Sequence, residues 1–152
     1  MTRKSTWANA DGLIVGFGAN TPERNIAGVY EHNGVIKEAV LQVTFQSSGA
    51  VIPIPAGSAV FDVLVTVGTA WVGGTKLEIG DATDPDGWIS ATQGATANLT
   101  AGAEIVAGGA YAIGDAATNK GLAKVYAAAT DLTATITGSY TAGTATVVVR
   151  YV

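Results

Sequence analysis

The chain has 152 residues, of which 48% are hydrophobic and only 13% are charged, and its formal net charge is −4. This length fits one domain around a single core. The eight basic residues are scattered, whereas phosphate contacts need clustered Lys and Arg, so we expect no nucleic-acid partner. The absence of Cys excludes disulfides and thiolate metal sites.

Apolar runs in the sequence are short. None approaches the roughly 20 residues of a membrane-spanning helix, and the run Leu13–Phe17 is too short and too rich in Gly for a secretory signal. We therefore expect a protein that is made and used in the cytoplasm, without export and without a membrane partner.

Residues 1–25 are mostly polar, with one apolar island and a turn-forming Thr-Pro-Glu-Arg-Asn stretch. We interpret them as an N-terminal arm or a loosely attached first strand, and residues 26–152 as a single β-sandwich domain. An arm of this kind can dock on another protein, and Trp is enriched at interface hot spots. The candidate partner-binding residues are Trp7, Leu13, Ile14, Val15 and Phe17.

Residues 26–58 carry signals for a hairpin and for an edge strand. Asn33-Gly34 separates Ile26–Tyr30 from Val35–Phe45 and predicts a tight hairpin, because both residues tolerate positive φ. Pro53 and Pro55 cannot donate ladder hydrogen bonds. Their segment is therefore predicted to be an edge strand or a lead-in to the next strand.

The clearest period-two alternation lies in Ser58–Val67, and it predicts a half-buried strand. The predicted core-facing residues are Phe61, Val63, Val65 and Val67, and the predicted polar face carries Asp62 and Thr66. Gly73-Gly74 is predicted to turn the chain into a strand at Thr75–Ile79.

The hydrophobic alternation is weak at the start of the second half of the chain. Ile89–Gly114 is rich in small residues that suit sheet packing, a subunit interface or a loop. Lys120–Tyr126 and Asp131–Thr137 are predicted strands, and a turn at Thr141–Thr144 precedes a last strand, Ala145–Val152. Eight to ten short strands indicate an all-β fold, an antiparallel β-sandwich or jelly roll.

Residues that could carry chemistry are few. His32 is the only histidine and lies at the predicted hairpin tip, so a catalytic triad and the usual zinc sites lack ligands. Asp62 and Glu78, on polar strand faces, could form a carboxylate pair, although solvated strand faces commonly carry such acids. We expect no enzyme activity and no cofactor.

The loop Asp81–Trp88 is acidic. Asp81, Asp84 and Asp86 could supply oxygen ligands to a hard cation, but they lack the ligand spacing of an EF-hand. An Asp-Pro-Asp-Gly turn at residues 84–87 that uses Asx hydrogen bonds explains the same residues and is our preferred interpretation. Trp71 and Trp88 flank this region and could either close the core or face a partner.

Three segments carry a resemblance. They are IPIPAGSAVFDVLVTV at 52–67, LEIGDATDPDGWI at 77–89 and YTAGTATVVVRYV at 140–152. In texture and order they resemble small structural proteins of tailed bacteriophages, in particular capsid decoration (cement) proteins. The resemblance implies a β-sandwich or jelly roll, commonly a homotrimer, on the surface of the virion. It also implies that the protein clamps neighbouring major capsid subunits, often through an N-terminal arm.

Two alternatives remain open at this stage. The first is a tail-associated receptor- or glycan-binding domain, in which an exposed Trp88 beside Asp84 and Asp86 would stack on a sugar. The second is a small glycan hydrolase that uses Asp62 and Glu78.

Overall fold

The computed structural model describes residues 36–113 and 123–152. Within them, eight strands form two antiparallel sheets, which confirms the all-β prediction. The strands are β1 Lys37–Thr44, β2 Ala50–Ile54, β3 Ser58–Gly73, β4 Lys76–Gly80, β5 Glu104–Val106, β6 Lys124–Tyr126, β7 Thr130–Thr137 and β8 Tyr140–Tyr151. One 3-10 turn, Thr96–Asn98, and one helical turn, α1 Ala110–Ile113, interrupt the long segment before β6. No helix among the described residues is long and apolar enough to cross a membrane.

The larger sheet, sheet I, has the strand order β1-β8-β3-β5, and β6 also pairs with β3. Sheet II has the order β2-β7-β4. Among the described strands, β2 pairs only with β7 and carries Pro53, so the predicted edge position is confirmed there. Residues 1–25, the predicted hairpin strand Ile26–Tyr30 and residues 114–122 lie outside the described part of the chain.

The two sheets enclose one hydrophobic core. Strands β3 and β8 supply its β-branched centre, and β4 and β7 supply the facing layer. Its fully buried members from these four strands are Val60, Val63, Val65, Leu77, Ile79, Leu132, Ala134, Val147 and Val149. Alternation along each strand sends every second side chain into this space. The sandwich prediction is therefore confirmed.

A bulge changes the predicted phase of β3. The pairing of β3 with β8 shifts register between Val60 and Asp62. One extra residue in a bulged strand breaks the alternation. Val60 is buried and Phe61 is only half buried, so the prediction that Phe61 faces the core is wrong.

The predicted turn at Thr141–Thr144 is also wrong, because β8 continues through it. The chain reverses at Gly138-Ser139 instead. Gly143 adopts φ +145° within the strand, and a Cβ at this residue would lie 2.5 Å from Trp71 Cδ2. This glycine therefore allows an indole to pack against the backbone.

Other local predictions agree with the structure. Gly73 and Gly74 have φ of +86° and +61° and connect β3 to β4. The described part of the ambiguous stretch, residues 89–113, contains mostly loop and β5, with Ile89 and Leu99 buried in the core. Of the predicted strand Lys120–Tyr126, the described part forms β6.

Candidate functional site

The acidic loop begins where β4 ends, and its first residue is buried. The Oδ1 atom of Asp81 accepts hydrogen bonds from the backbone N–H of Thr83 at 2.8 Å and of Asp84 at 3.0 Å. The N–H of Gly87 closes the loop by donating to the carbonyl oxygen of Asp84 at 3.1 Å. The predicted turn at residues 84–87 is confirmed, and the Asx hydrogen bonds are accepted by Asp81, three residues before it.

Side chains from α1 and β6, distant in the chain, complete the hydrogen bonding of Asp81. The hydroxyl of Tyr111 donates to Oδ1 at 3.1 Å, and the hydroxyl of Tyr126 donates to Oδ2 at 3.0 Å. The Nζ atom of Lys124 lies 2.8 Å from Oδ2 and 3.6 Å from the centre of the Tyr111 ring. The Nε1 atom of Trp88 donates to the Tyr126 hydroxyl at 3.1 Å. We call these five residues, Asp81, Trp88, Tyr111, Lys124 and Tyr126, the Asp81 cluster.

The electrostatics of the Asp81 cluster favour a charged pair. Burial alone would raise the pKa of Asp81, but the hydrogen bonds from Lys124 and from the backbone of Asp84 and Thr83 lower it below the ordinary value. Burial would lower the pKa of Lys124, but Asp81 and Tyr111 raise it. Both shifts keep the pair ionised at neutral pH, whereas a general base needs a pKa near the working pH. The arrangement suits a structural clamp.

Asp81, Asp84 and Asp86 do not form a group arranged to hold a metal ion. Asp81 already accepts five hydrogen bonds or ionic contacts. Burial and the neighbouring carboxyl of Asp86 raise the pKa of Asp84. Within residues 36–113 and 123–152, no group of three or more His, Cys, Asp or Glu side chains is arranged to hold a metal ion.

Both described tryptophans close the core. Trp88 is 0% exposed, and its ring meets the Tyr111 ring edge-on at 5.7 Å. Trp71 meets Tyr140 edge-on at 5.0 Å and donates from Nε1 to the carbonyl of Thr144 at 3.4 Å. The expectation that Trp88 is exposed for sugar stacking is therefore wrong, because the indole is buried against Tyr111 and bonded to Tyr126.

The proposed carboxylate pair does not form. Asp62 lies in sheet I and binds Nη1 of Arg150 at 2.8 Å. Glu78 lies in sheet II, is buried, and binds Nζ of Lys76 at 2.6 Å. The expectation that they could face each other is wrong. The candidates Trp7, Leu13, Ile14, Val15 and Phe17, and also His32, lie outside the described residues.

The outer face of sheet I carries a feature that sequence reasoning missed. Strand register places four apolar side chains in one row across four strands: Val40, Val148, Leu64 and Val106. The two ends of this row, Val40 and Val106, are 57% and 64% exposed. A solvated face of an antiparallel sheet is ordinarily polar. We call this set the apolar row.

Polar rows flank the apolar row on the same face. On one side Arg150 joins Glu38 and Asp62, with both contacts at 2.8 Å. On the other side the hydroxyl of Thr146 donates to Gln42 at 3.1 Å, and Thr66 and Glu104 complete the row. Glu104 and Val106 also line a shallow groove of about 470 Å³ beside β5. Alternation predicted that Asp62 and Thr66 point outward, but the juxtaposition of these rows depends on strand order.

Comparison with known proteins shows what the fold resembles. No protein-family model matches the chain, and no curated protein matches it. A chain of the cyanophage Pam1 capsid asymmetric unit aligns with 87% of this chain and 95% of its own length, at 19% identity and a TM-score of 0.55. A chain of the capsid of Ralstonia phage GP4 aligns with 85% of this chain and 91% of its own, at 13% identity and a TM-score of 0.51. At these identities the likeness establishes a shared fold.

Proposed function

We propose that this protein is a structural component of a bacteriophage virion, and specifically a decoration (cement) protein. It binds the outside of the head and stabilises contacts between major capsid subunits. The observation that carries the proposal is the alignment along most of both lengths with chains from two phage capsids. High coverage in both directions means that the aligned chains are of similar size to this one.

The distribution of polar groups supports an adhesive role. A cement protein stabilises a shell because it binds the assembled state and not the dissociated subunits. It needs a rigid body and an open contact surface. The Asp81 cluster satisfies its own polar groups inside the body, and the outer face of sheet I leaves apolar side chains exposed. We therefore propose a role without catalysis.

The alternatives now have less support. Glycan binding by a tail-associated domain relied on Trp88, which is buried. A glycan hydrolase relied on Asp62 and Glu78, which lie in different sheets. Nothing in the described residues favours either function over cementing.

Binding to phage heads tests the proposal. The purified protein is mixed with expanded shells assembled from the major capsid protein of the same phage, and cryo-electron microscopy locates it. We expect saturable binding on the outer surface of the head and shells that resist heat better when coated. Binding to tails alone, or to neither structure, would overturn the proposal.

The oligomer and the arm are part of the same proposal. We propose a homotrimer whose residues 1–25 contribute to capsid binding, in line with the resemblance described above. Sedimentation equilibrium is expected to give a trimer mass. Deletion of residues 1–25 is expected to leave a folded body that coats heads poorly, and unchanged affinity of the truncated protein would contradict the role of the arm.

A further inference from the structure

The exposed apolar area on sheet I extends beyond one row. Ala59 pairs with Val125 in register, and it exchanges backbone hydrogen bonds with Val152 at 3.0 and 3.1 Å. Val125 and Val152 are 67% and 52% exposed, and Ala59 lies between two buried residues and so points outward. A second apolar row therefore crosses this face, beyond the Glu38–Arg150–Asp62 row. Contiguous exposed apolar surface rimmed by polar groups is typical of a protein contact surface.

The charges on this face distinguish between possible partners. It carries three carboxylates, Glu38, Asp62 and Glu104, and one guanidinium, that of Arg150. Arg150 is shared by Glu38 and Asp62, and none of the ion pairs among the described residues includes Glu104. A second copy stacked through the same face would bring like charges together, which is unfavourable at an interface.

We infer that the outer face of sheet I is the docking surface for a protein partner whose contact patch is apolar and flanked by Lys or Arg. This inference rests on the proposed function, in which the partner is the major capsid protein. The apolar rows would form the desolvated centre of the interface, and the carboxylates would fix its register. Sheet II and the Asp81 cluster would then face away from the shell.

A pair of matched variants tests the apolar row. Val40→Asp combined with Val106→Asp places charges at both ends of it. The control, Val51→Asp, adds one such charge to an exposed valine on the edge strand of sheet II. Binding to expanded shells is measured by cosedimentation. We expect the double variant to bind at least about tenfold more weakly, as expected for loss of interface anchors, and the control to bind as the wild type does.

Two further measurements keep the test decisive. Circular dichroism establishes that each variant is folded, and the double variant Val40→Thr, Val106→Thr, which keeps the side-chain shape, is used if the aspartates prevent folding. Glu104→Lys is expected to weaken shell binding several-fold and to reduce its dependence on ionic strength. Tighter binding by Glu104→Lys would show that the partner is acidic and would overturn the inference.

The remaining outcomes separate the two proposals. If the wild type binds shells and the double variant binds equally well, the docking surface is wrong and the cement function stands. If the double variant loses its oligomeric mass but keeps its shell affinity, a second copy covers this face and the inference fails. If the wild type does not bind shells at all, the proposed function fails, and this inference fails with it.

Discussion

The Asp81 cluster buries polar side chains, whereas the outer face of sheet I exposes apolar ones. In the Asp81 cluster, a buried carboxylate, an ammonium group and two phenols bond to one another. On the outer face, valines remain exposed between polar rows. Residue types that often mark active sites are therefore part of the scaffold here, and residues that usually form a core are left available for contact. Asp, Lys and Tyr side chains therefore indicate a functional site only once it is known which groups they bond to.

The largest expected effect is loss of Trp88. Trp88→Ala removes a fully buried indole that packs on Tyr111 and bonds to Tyr126, and it should lower the free energy of unfolding by about 4 kcal/mol. Urea denaturation followed by circular dichroism measures the change. Val125→Ala, at an exposed position, serves as the control, and a similar small loss for both variants would contradict the scaffold role of Trp88.

Removal of the central carboxylate should have a somewhat smaller effect. Asp81→Asn leaves Lys124 without its counter-charge, and such a change in a buried pair costs about 3 kcal/mol when one partner keeps partial access to water. About a quarter of the Lys124 side chain is exposed, so this lower value applies. The measurement is the same urea titration, with Asp131→Asn, at an exposed position of β7, as the control. Wild-type stability in Asp81→Asn would show that the ion pair contributes little.

Acid should reduce the difference in unfolding free energy between the wild type and Asp81→Asn. Burial opposes the ionised form of Asp81, but hydrogen bonds from Lys124 and the backbone hold its folded pKa below the ordinary 3.8. A lowered folded pKa adds stability that is complete above the ordinary pKa and is lost as the pH falls through the folded pKa.

We therefore expect the gap in unfolding free energy between the wild type and Asp81→Asn to be full at neutral pH. It should narrow once the pH drops below 3.8. Urea titrations at a series of pH values measure the gap. A constant gap would mean that the Asp81 carboxylate does not titrate in this range, contrary to the lowered pKa.

The smallest effect on stability is expected on the outer face. Val40 and Val43 lie on the same strand, but Val40 points outward and Val43 is buried. Val40→Thr should change the free energy of unfolding by less than about 0.5 kcal/mol. Val43→Thr should cost about 1–3 kcal/mol because it buries a hydroxyl. Thermal denaturation compares them, and equal losses would show that the outer face is covered within the folded protein.

Local features of the candidate site were predictable, and long-range ones were not. The turn at residues 84–87 was indicated by its Asp-Pro-Asp-Gly sequence, and the Asx hydrogen bonds of Asp81 extend only two and three positions along the chain. Trp88 was uncertain because its partner Tyr126 is 38 residues away in the chain. The phase of Phe61 was missed because a bulge depends on the partner strand β8.

The sequence by itself determined the all-β class, most of the strand segments, the edge position of Pro53 and the turn at Gly73-Gly74, because alternation and turn chemistry act between neighbours in the chain. Only the tertiary structure decided that Asp81 and Lys124 form a buried pair and that Val40, Val148, Leu64 and Val106 form one row. These arrangements depend on strand order and register. Both are set by packing between segments far apart in the chain, and a single sequence does not display such packing.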